Sequence, residues 1–449
     1  VYETERTEGI AKEKAVLVRV ILPEQVEGDD PLDEITGLVK TAGARIVGGL
    51  IQRREAPDVA TYLGKGKVQE LKSLIEQHDA DVAIFDNDLA PSQTRNLEKA
   101  IDAKVIDRTE LILDIFATNA QTNEARLAVE LAQLEYSLPR LKRMWTHLSR
   151  IKAGIGMRGP GEKQLEEDRR LAEKRIHDLR TELHGIEKRK ERLVASRGDR
   201  LTVSLVGYTN AGKSTLMNAL TGAGVLAADK LFATLDTRTR RWQLPSWGPV
   251  LLSDTVGFIR DLPHALVASF KATLEEARQA DLLLHVADAS NSAVLEQISA
   301  VFTVLEELGI EEKDAVLVLN KVDMLADRAD LAPVLARYPH AIPISSRTRE
   351  GFDRLHAGVS DALSRSFADL DVETSVANGR MLAYLAAHGE VIGRQYADGD
   401  RVIVHVRIPQ RHLGPLHEPG TAYRPHVPDT FAAAAGEATA LPAAMEDVA

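Results

Sequence analysis

The stretch Gly207-Tyr-Thr-Asn-Ala-Gly-Lys-Ser214 constrains this chain more than any other. It follows an apolar run, Leu201 to Val206, and precedes a helical pattern, Thr215 to Leu220. Strand, glycine loop and helix in that order is the setting a phosphate-binding P-loop requires. Gly207 and Gly212 let the backbone wrap closely, so the N–H groups of Tyr208, Thr209, Asn210 and Ala211 can form an anion nest. Lys213 is expected to reach the β- and γ-phosphates. Ser214 is expected to hold Mg²⁺, and Thr215 to close the loop on the nucleotide. The loop alone does not choose between ATP and GTP.

Two later strings make the choice. Asp254-Thr255-Val256-Gly257 ends an apolar run, where an aspartate can bind Mg²⁺ through water and the Gly257 N–H can touch the γ-phosphate. Asn320-Lys321-Val322-Asp323 ends another. A carboxylate at Asp323 can accept both N1–H and N2–H₂ of guanine. Adenine lacks that paired donor edge and would leave the carboxylate unpaired. Lys321 would lie over the base, Asn320 would brace the site, and Ser345-Ser346-Arg347 can offer a backbone N–H to the guanine carbonyl.

Between the P-loop and Asp254 lies Leu231-Phe232-Ala233-Thr234-Leu235-Asp236, placed as a switch loop would be. Thr234 is the candidate to complete the Mg²⁺ shell and sense the γ-phosphate, with Thr237 and Thr239 as neighbours in that choice. Lys213, Thr234 and Gly257 are thus the candidate catalytic groups. Phe258 stands where many GTPases carry a water-orienting glutamine, and a phenyl ring cannot orient water by hydrogen bonding. Hydrolysis is then expected to draw on another group, an ion or a partner. Asn210 is a candidate ligand for K⁺ bridging the phosphates, or else satisfies loop backbone.

Composition narrows the class. There is no cysteine, which excludes disulfides, thiolate metal sites and cysteine nucleophiles. No apolar run approaches the ~18 residues of a membrane span. The N-terminus, Val1-Tyr-Glu-Thr-Glu-Arg6, lacks a signal-peptide core, so the cytoplasm is the expected location. Nothing in the sequence requires an oligomer.

The chain divides by pattern. The fold expected is α/β, with a long helical hairpin inserted between two α/β domains and a small α+β unit at the C-terminal end. Residues 13–118 alternate strands (Ala15–Leu22, Ala44–Ile51, Val82–Phe85, Lys104–Asp107) with helices (Leu32–Thr41, Lys65–His78, Pro91–Ala100), which favours an α/β subdomain with a largely parallel sheet. Loops are expected at Gly64-Lys65-Gly66 and Asp86-Asn87-Asp88. Residues 120–200 instead carry heptad seams. Leu127, Leu131, Leu134, Leu138, Leu141, Trp145 and Leu148 form one, and Leu165, Ala172, Ile176, Leu179, Leu183 and Ile186 the other. Two such seams zip into a long antiparallel helical hairpin. Pro139 is expected to interrupt the first helix by kinking it. The break is Gly154-Ile-Gly-Met-Arg-Gly-Pro-Gly161, a glycine-rich tip suited to close approach of another backbone.

From Arg140 to Arg200 there are eighteen Lys and Arg against ten Asp and Glu, a net of +8 in a chain whose total is −11. Arg158, Gly159 and Gly161 are therefore candidate RNA contacts. Residues 201–366 read as a P-loop GTPase domain with a mostly parallel sheet, its strands near Leu201–Val206, Val250–Asp254, Leu282–Ala287, Ala315–Asn320 and Ala341–Ser345. Residues 372–410 read as a small α+β unit, and 411–449 as a disordered tail.

With these motifs in hand, residues 15–370 resemble the HflX family of translational GTPases. The resemblance rests on Gly154-Ile-Gly-Met-Arg-Gly-Pro-Gly-Glu-Lys-Gln-Leu-Glu-Glu-Asp-Arg-Arg170, on the P-loop, on Leu231-Phe-Ala-Thr-Leu-Asp236, and on Asp254-Thr-Val-Gly-Phe-Ile-Arg-Asp-Leu-Pro-His264. The departures, Met157, Lys163, Thr237 and Ser346, touch no expected phosphate or guanine contact. The resemblance implies GTP and GDP as ligands and a large-ribosomal-subunit partner reached through the arm. It implies splitting of stalled or idle ribosomes under stress, and hydrolysis stimulated by the ribosome. ATP at the N-terminal domain is a further implied ligand, with no residues to place for it. An assembly factor for large subunits, and a non-catalytic RNA-binding scaffold, are the other readings the residues leave open.

Overall fold

The computed structural model describes residues 10–23, 30–144, 160–195, 201–222, 231–232, 237–245, 248–260, 276–310, 314–365, 367–397 and 400–426. Near the N-terminus four strands, β1 (Lys14–Ile21), β2 (Arg45–Arg53), β3 (Val82–Phe85) and β4 (Lys104–Ile106), form a parallel sheet in the order β2-β1-β3-β4. β1 and β3 are buried on both faces, as parallel strands covered by helices must be. The covering helices are α1 (Asp33–Ala42), α2 (Lys65–His78), α3 (Pro91–Ile101) and α4 (Arg108–Asn119).

Two sequence expectations need correcting here. Lys65 and Gly66 form the first turn of α2, with Gly64 as its N-cap, so only Gly64 is loop. And α4 has no counterpart in the sequence reading. Its Leu111, Ile112, Leu113, Ile115 and Phe116 are all buried, a near-continuous apolar run in which Glu110, Asp114 and Thr118 leave only a narrow polar stripe. Asp107, expected to end a strand, caps α4 instead by accepting the Glu110 N–H at 2.9 Å.

The middle region is two long helices, α5 (Asn123–Met144) and α6 (Pro160–Ala195). They pack through Leu127, Ala128 and Leu131 against Ile176, Leu179 and Leu183, flanked by Leu134, Leu138 and Ile186. Ion pairs Arg175–Glu130 and Arg180–Glu135, both 2.7 Å, cross between them. Pro139 lies inside α5, which runs on past it to Met144. Beside the missing amide of Pro139, Arg140 donates a guanidinium N–H to the Tyr136 carbonyl at 3.2 Å. Pro160 and Gly161 already belong to α6, where Pro in a first turn costs nothing. Trp145, Leu148, Arg158, Gly159 and the rest of the expected tip lie outside the described residues.

The second half of α5 is tied to the N-terminal domain. Tyr136 donates its hydroxyl to Asp107 at 2.7 Å, and Arg140 donates to the other oxygen of Asp107 at 2.9 Å and to the Leu89 carbonyl at 3.0 Å. The Arg140 guanidinium also lies 3.4 Å over the Tyr136 ring.

The next domain is a six-stranded sheet in the order β10-β9-β8-β5-β7-β6. β5 (Thr202–Gly207), β7 (Gly248–Asp254), β8 (Leu282–Asp288), β9 (Ala315–Asn320) and β10 (Ile342–Pro343) are parallel. β6 (Arg238–Leu244) is an antiparallel edge strand that the sequence reading lacks; its Arg238-Thr-Arg-Arg241 start hides the alternation that buries Trp242 and Leu244. The helices are α7 (Lys213–Thr221), α8 (Val294–Glu307), α9 (Ala332–Arg337) and α10 (Phe352–Arg365). One apolar cluster is shared between the two domains. It joins Ile35 and Leu38 of α1 and Ile112, Ile115 and Phe116 of α4 to Tyr208, Phe232, Val256, Phe258 and Ile259.

A separate C-terminal unit holds an antiparallel sheet of β11 (Phe367–Ser375), β12 (Glu390–Ala397), β13 (Arg401–Pro409) and β14 (Ala422–Pro425), in the order β12-β13-β11-β14, with α11 (Gly379–His388). The expected limits of 372–410 are therefore too narrow. β14 lies within the segment read as a disordered tail, yet pairs with β11 from Leu370↔Pro425 to Glu373↔Ala422. Residues 427–449 fall outside the described residues. Among the described residues no helix is long and apolar enough to cross a membrane.

Leu179 is fully buried between α5 and α6. Leu179→Ala should cost about 2–5 kcal/mol of local stability. Hydrogen exchange should then accelerate in α6 around Ile176–Leu183 and stay unchanged in β5, β8 and β9. Unaltered exchange in α6 would contradict this packing.

Candidate functional site

The P-loop leaves β5 at Gly207, whose φ of +148° and contact with β8 leave no room for a side chain. An added Cβ would stand 2.1 Å from the Val286 carbonyl oxygen. Asn210 at φ +60° and Gly212 at φ +90° complete the turn. Lys213 is buried under it and donates to the Gly207 and Tyr208 carbonyls at 3.0 and 2.9 Å. Burial brings its ammonium down to about 8, against the opposing pull of Asp254.

Ser214, on the first turn of α7, donates to Asp254 at 2.6 Å, with Asp254 itself fully buried at the end of β7. A hydroxyl and a carboxylate converging there, with no nitrogen or sulfur donor, suit a hard dication such as Mg²⁺. Gly257 lies against the loop: a Cβ there would be 2.8 Å from the Thr209 Cα and 3.1 Å from the Lys213 Nζ. Its backbone is thereby next to the Lys213 ammonium.

The base-side strings meet the P-loop through Asn320. Its Nδ2 donates to the Ala211 carbonyl at 2.9 Å, and its Oδ1 accepts from the Ser346 N–H at 3.0 Å and hydroxyl at 2.9 Å. An added Cβ on Gly212 would collide with that Nδ2 at 2.4 Å. Lys321, at φ +65°, turns its ammonium to Asp288 at 2.6 Å. Asp323 is exposed in the short turn Val322–Met324. Within Ser345-Ser346-Arg347, the Ser345 amide is held by the Glu350 carbonyl at 3.1 Å and the Ser346 amide by Asn320. Arg347 therefore has the amide that no hydrogen bond among the described residues engages.

Several expected ligand residues face elsewhere. The Thr255 hydroxyl is spent on the Leu205 carbonyl at 2.7 Å, and Val256 joins the shared core, which leaves only their backbones to a ligand. Phe258 is 2% exposed. Its amide donates to the Gly207 carbonyl at 3.1 Å, and its carbonyl accepts from the Thr209 amide at 2.6 Å. Thr215 and Asn210 are exposed. Ala233, Thr234, Leu235 and Asp236 lie outside the described residues.

The N-terminal domain grips both switch segments. Phe232, at the head of the first, sits at φ +56°. Its ring lies 4.5 Å from that of Phe116, its carbonyl accepts from the Asn119 side chain at 3.1 Å, and its amide donates to the Thr209 hydroxyl at 2.9 Å. Leu231 reaches α1, donating its amide to the Thr41 hydroxyl at 3.3 Å.

Behind the second switch lies a buried charge cluster. Arg108 donates to Asp86 at 2.5 Å, to Glu34, and to the Arg260 carbonyl at 3.0 Å. Arg260 donates to Asp86 at 3.2 Å, and its amide donates to the Tyr208 hydroxyl at 2.7 Å, which in turn donates to Glu34 at 3.1 Å. Arg19 completes the group beside Asp86 at 3.4 Å. Burial alone would raise Glu34, but Arg108 and Arg260 outweigh it and hold the carboxyl below its usual range.

Sequence reasoning missed Asp288, Glu34, Asp86 and Arg108. Asp288 ends β8, where ligands collect in such sheets, and so carried a findable signal. The other three lie far from every motif and carried none.

Three family models match in succession: "GTP-binding GTPase N-terminal" over residues 29–117, "GTP-binding GTPase Middle Region" over 119–197, and "50S ribosome-binding GTPase" over 202–321. GTPase HflX of Escherichia coli K12 is 45% identical over 406 residues, 89% of this chain and 94% of that protein. GTPase HflX of Lacrimispora saccharolytica is 43% identical over 417 residues, 92% and 97% of the two chains. A crystal structure of a GTP-binding protein from the archaeon Sulfolobus solfataricus in complex with GDP is similar over 79% of this chain and 99% of that one, at 26% identity and a TM-score of 0.41. By its likeness to the curated relatives along nearly its whole length, the chain belongs to the HflX family of GTPases and is a GTP-hydrolysing enzyme.

Proposed function

We propose that this GTPase docks on the large ribosomal subunit through its two-helix arm, separates stalled or idle ribosomes while GTP is bound, and departs on hydrolysis. The observation that carries the reading is the position of Phe258. Its ring is buried in the core shared by two domains, and its backbone is pinned at both ends to the P-loop. The position that often orients the attacking water is thus spent on packing, and a slow intrinsic reaction that waits for a partner follows. The +8 arm and the ribosome-binding family match favour ribosomal RNA as that partner. The reading places the protein in the cytoplasm.

The residues divide the work by chemistry. Asp323 selects guanine, Lys321 covers the base from its anchor on Asp288, and Asn320 fixes the base loops to the P-loop. Lys213 leaves its two backbone carbonyls for the phosphates and stabilises charge that grows in the transition state. Ser214 and Asp254, with Thr234, would hold Mg²⁺; when bound, that ion neutralises charge on the β- and γ-oxygens. The Gly257 amide orients the γ-phosphate, and Asn210 is the residue for a bridging K⁺.

Three outcomes check this. Whole ribosomes mixed with the protein and GTP or a non-hydrolysable analogue should lose light scattering as subunits part, and Arg158→Glu should slow that loss while leaving intrinsic turnover intact. Scattering that holds steady would point to the assembly role. Lys213→Ala should lower kcat by about 10²–10³-fold, measured as phosphate release; unchanged turnover would remove Lys213 from the reaction. Bringing a triphosphate against Lys213 restores its charge. Nucleotide binding should therefore take up most of a proton between pH about 8 and the ordinary lysine value of about 10.4, and progressively less below and above that window, as read by calorimetry in buffers of differing ionisation enthalpy. Lys213→Ala should abolish that uptake.

A further inference from the structure

α4 reaches Phe232 at the head of the first switch, Arg260 in the second and, through Glu34, the P-loop. At its start Arg108 holds the Arg260 carbonyl, three residues past Gly257, and through Glu34 it reaches the Tyr208 hydroxyl of the P-loop. At its end Phe116 and Asn119 hold Phe232, the head of the first switch. The 12 residues between make a rod about 18 Å long. The residue before Arg108 is Asp107, and both its carboxylate oxygens are committed. One accepts from the Glu110 amide and the Tyr136 hydroxyl, the other from Arg140 at 2.9 Å and the Leu89 amide at 3.3 Å. Tyr136 and Arg140 belong to α5, the first helix of the arm.

We propose that Asp107 and Arg108 are positioning residues that make α4 the coupling element between the GTP site and the arm. Arg108 cannot follow a moving second switch without leaving Asp86, because one planar guanidinium serves both. A buried guanidinium has discrete sets of partners rather than a continuum, so a shift of Gly257 toward the γ-phosphate either tilts α4 or exchanges the Arg108 partners. Tilting α4 carries Asp107, and Asp107 carries the second half of α5, and with it the packing of α5 on α6. The inference requires only that the site bind guanine nucleotide, and holds whether or not the arm meets a ribosome.

The full chain contains no cysteine, so two introduced ones can be labelled uniquely. With nitroxides on His184→Cys in α6 and Glu307→Cys at the end of α8, both exposed, electron–electron resonance reports the distance between arm and GTPase domain. The distance distribution should differ between GDP and a non-hydrolysable GTP analogue in the parent chain. The two distributions should coincide in Tyr136→Phe, which keeps the ring under Arg140 and loses only the bond to Asp107, with nucleotide affinity retained. Arg108→Lys, which keeps the charge but not the fork, should also merge them and lower kcat with KM for GTP unchanged; if it fails to fold, Tyr136→Phe decides alone. No nucleotide-dependent shift in the parent, or a shift that survives in Tyr136→Phe, would overturn the proposal.

Discussion

A guanidinium 1% exposed must find partners for its charge or the fold cannot hold it, and for Arg108 those partners come from two domains. Asp86 and Glu34 belong to the N-terminal sheet and its first helix; the Arg260 carbonyl belongs to the second switch. Removing one partner of such a buried group costs about 3–5 kcal/mol, much more than an exposed pair. The segment after Asp254-Thr-Val-Gly257 therefore lies where this cluster allows. The same demand draws in Tyr208, so that the second residue of the P-loop directs its hydroxyl at another domain instead of at solvent.

Around that clamp the nucleotide site is a set of close approaches. Gly212 abuts the Asn320 amide and Gly257 abuts Thr209 and Lys213, in each case with no space for a methyl group. Base loop, P-loop and second switch thus bear directly on one another, and displacement of any one is felt by the others. Burial weakens the hold of Lys213 on its proton, against the pull of Asp254.

Much of this was legible in the chain because phosphate and guanine dictate their own ligands. The P-loop, Asp254-Thr-Val-Gly257 and Asn320-Lys-Val-Asp323 carry chemistry that few other residue orders supply, and each stands at the C-terminal end of a strand or in the loop that follows it. α4 was illegible for the opposite reason. Its run Leu111–Phe116 is apolar but for Asp114, and the narrow polar stripe of Glu110, Asp114 and Thr118 gives only a weak helical period. β6 and β14 are edge strands whose charged or proline-ended sequences blur alternation. The partners of Arg108 could not be read at all: Tyr208 and Glu34, and likewise Arg260 and Asp86, stand 174 residues apart along the chain and meet only through tertiary packing.

The apolar cluster that runs from Ile35 and Phe116 into Phe232 and Phe258 belongs to no single domain. Pulling the N-terminal sheet from the GTPase sheet would wet that surface and strand the arginine cluster together. The two sheets therefore share one melting event: heat or denaturant should meet them as a single cooperative body, and a protease that cuts between them would leave two sticky halves rather than two independent proteins.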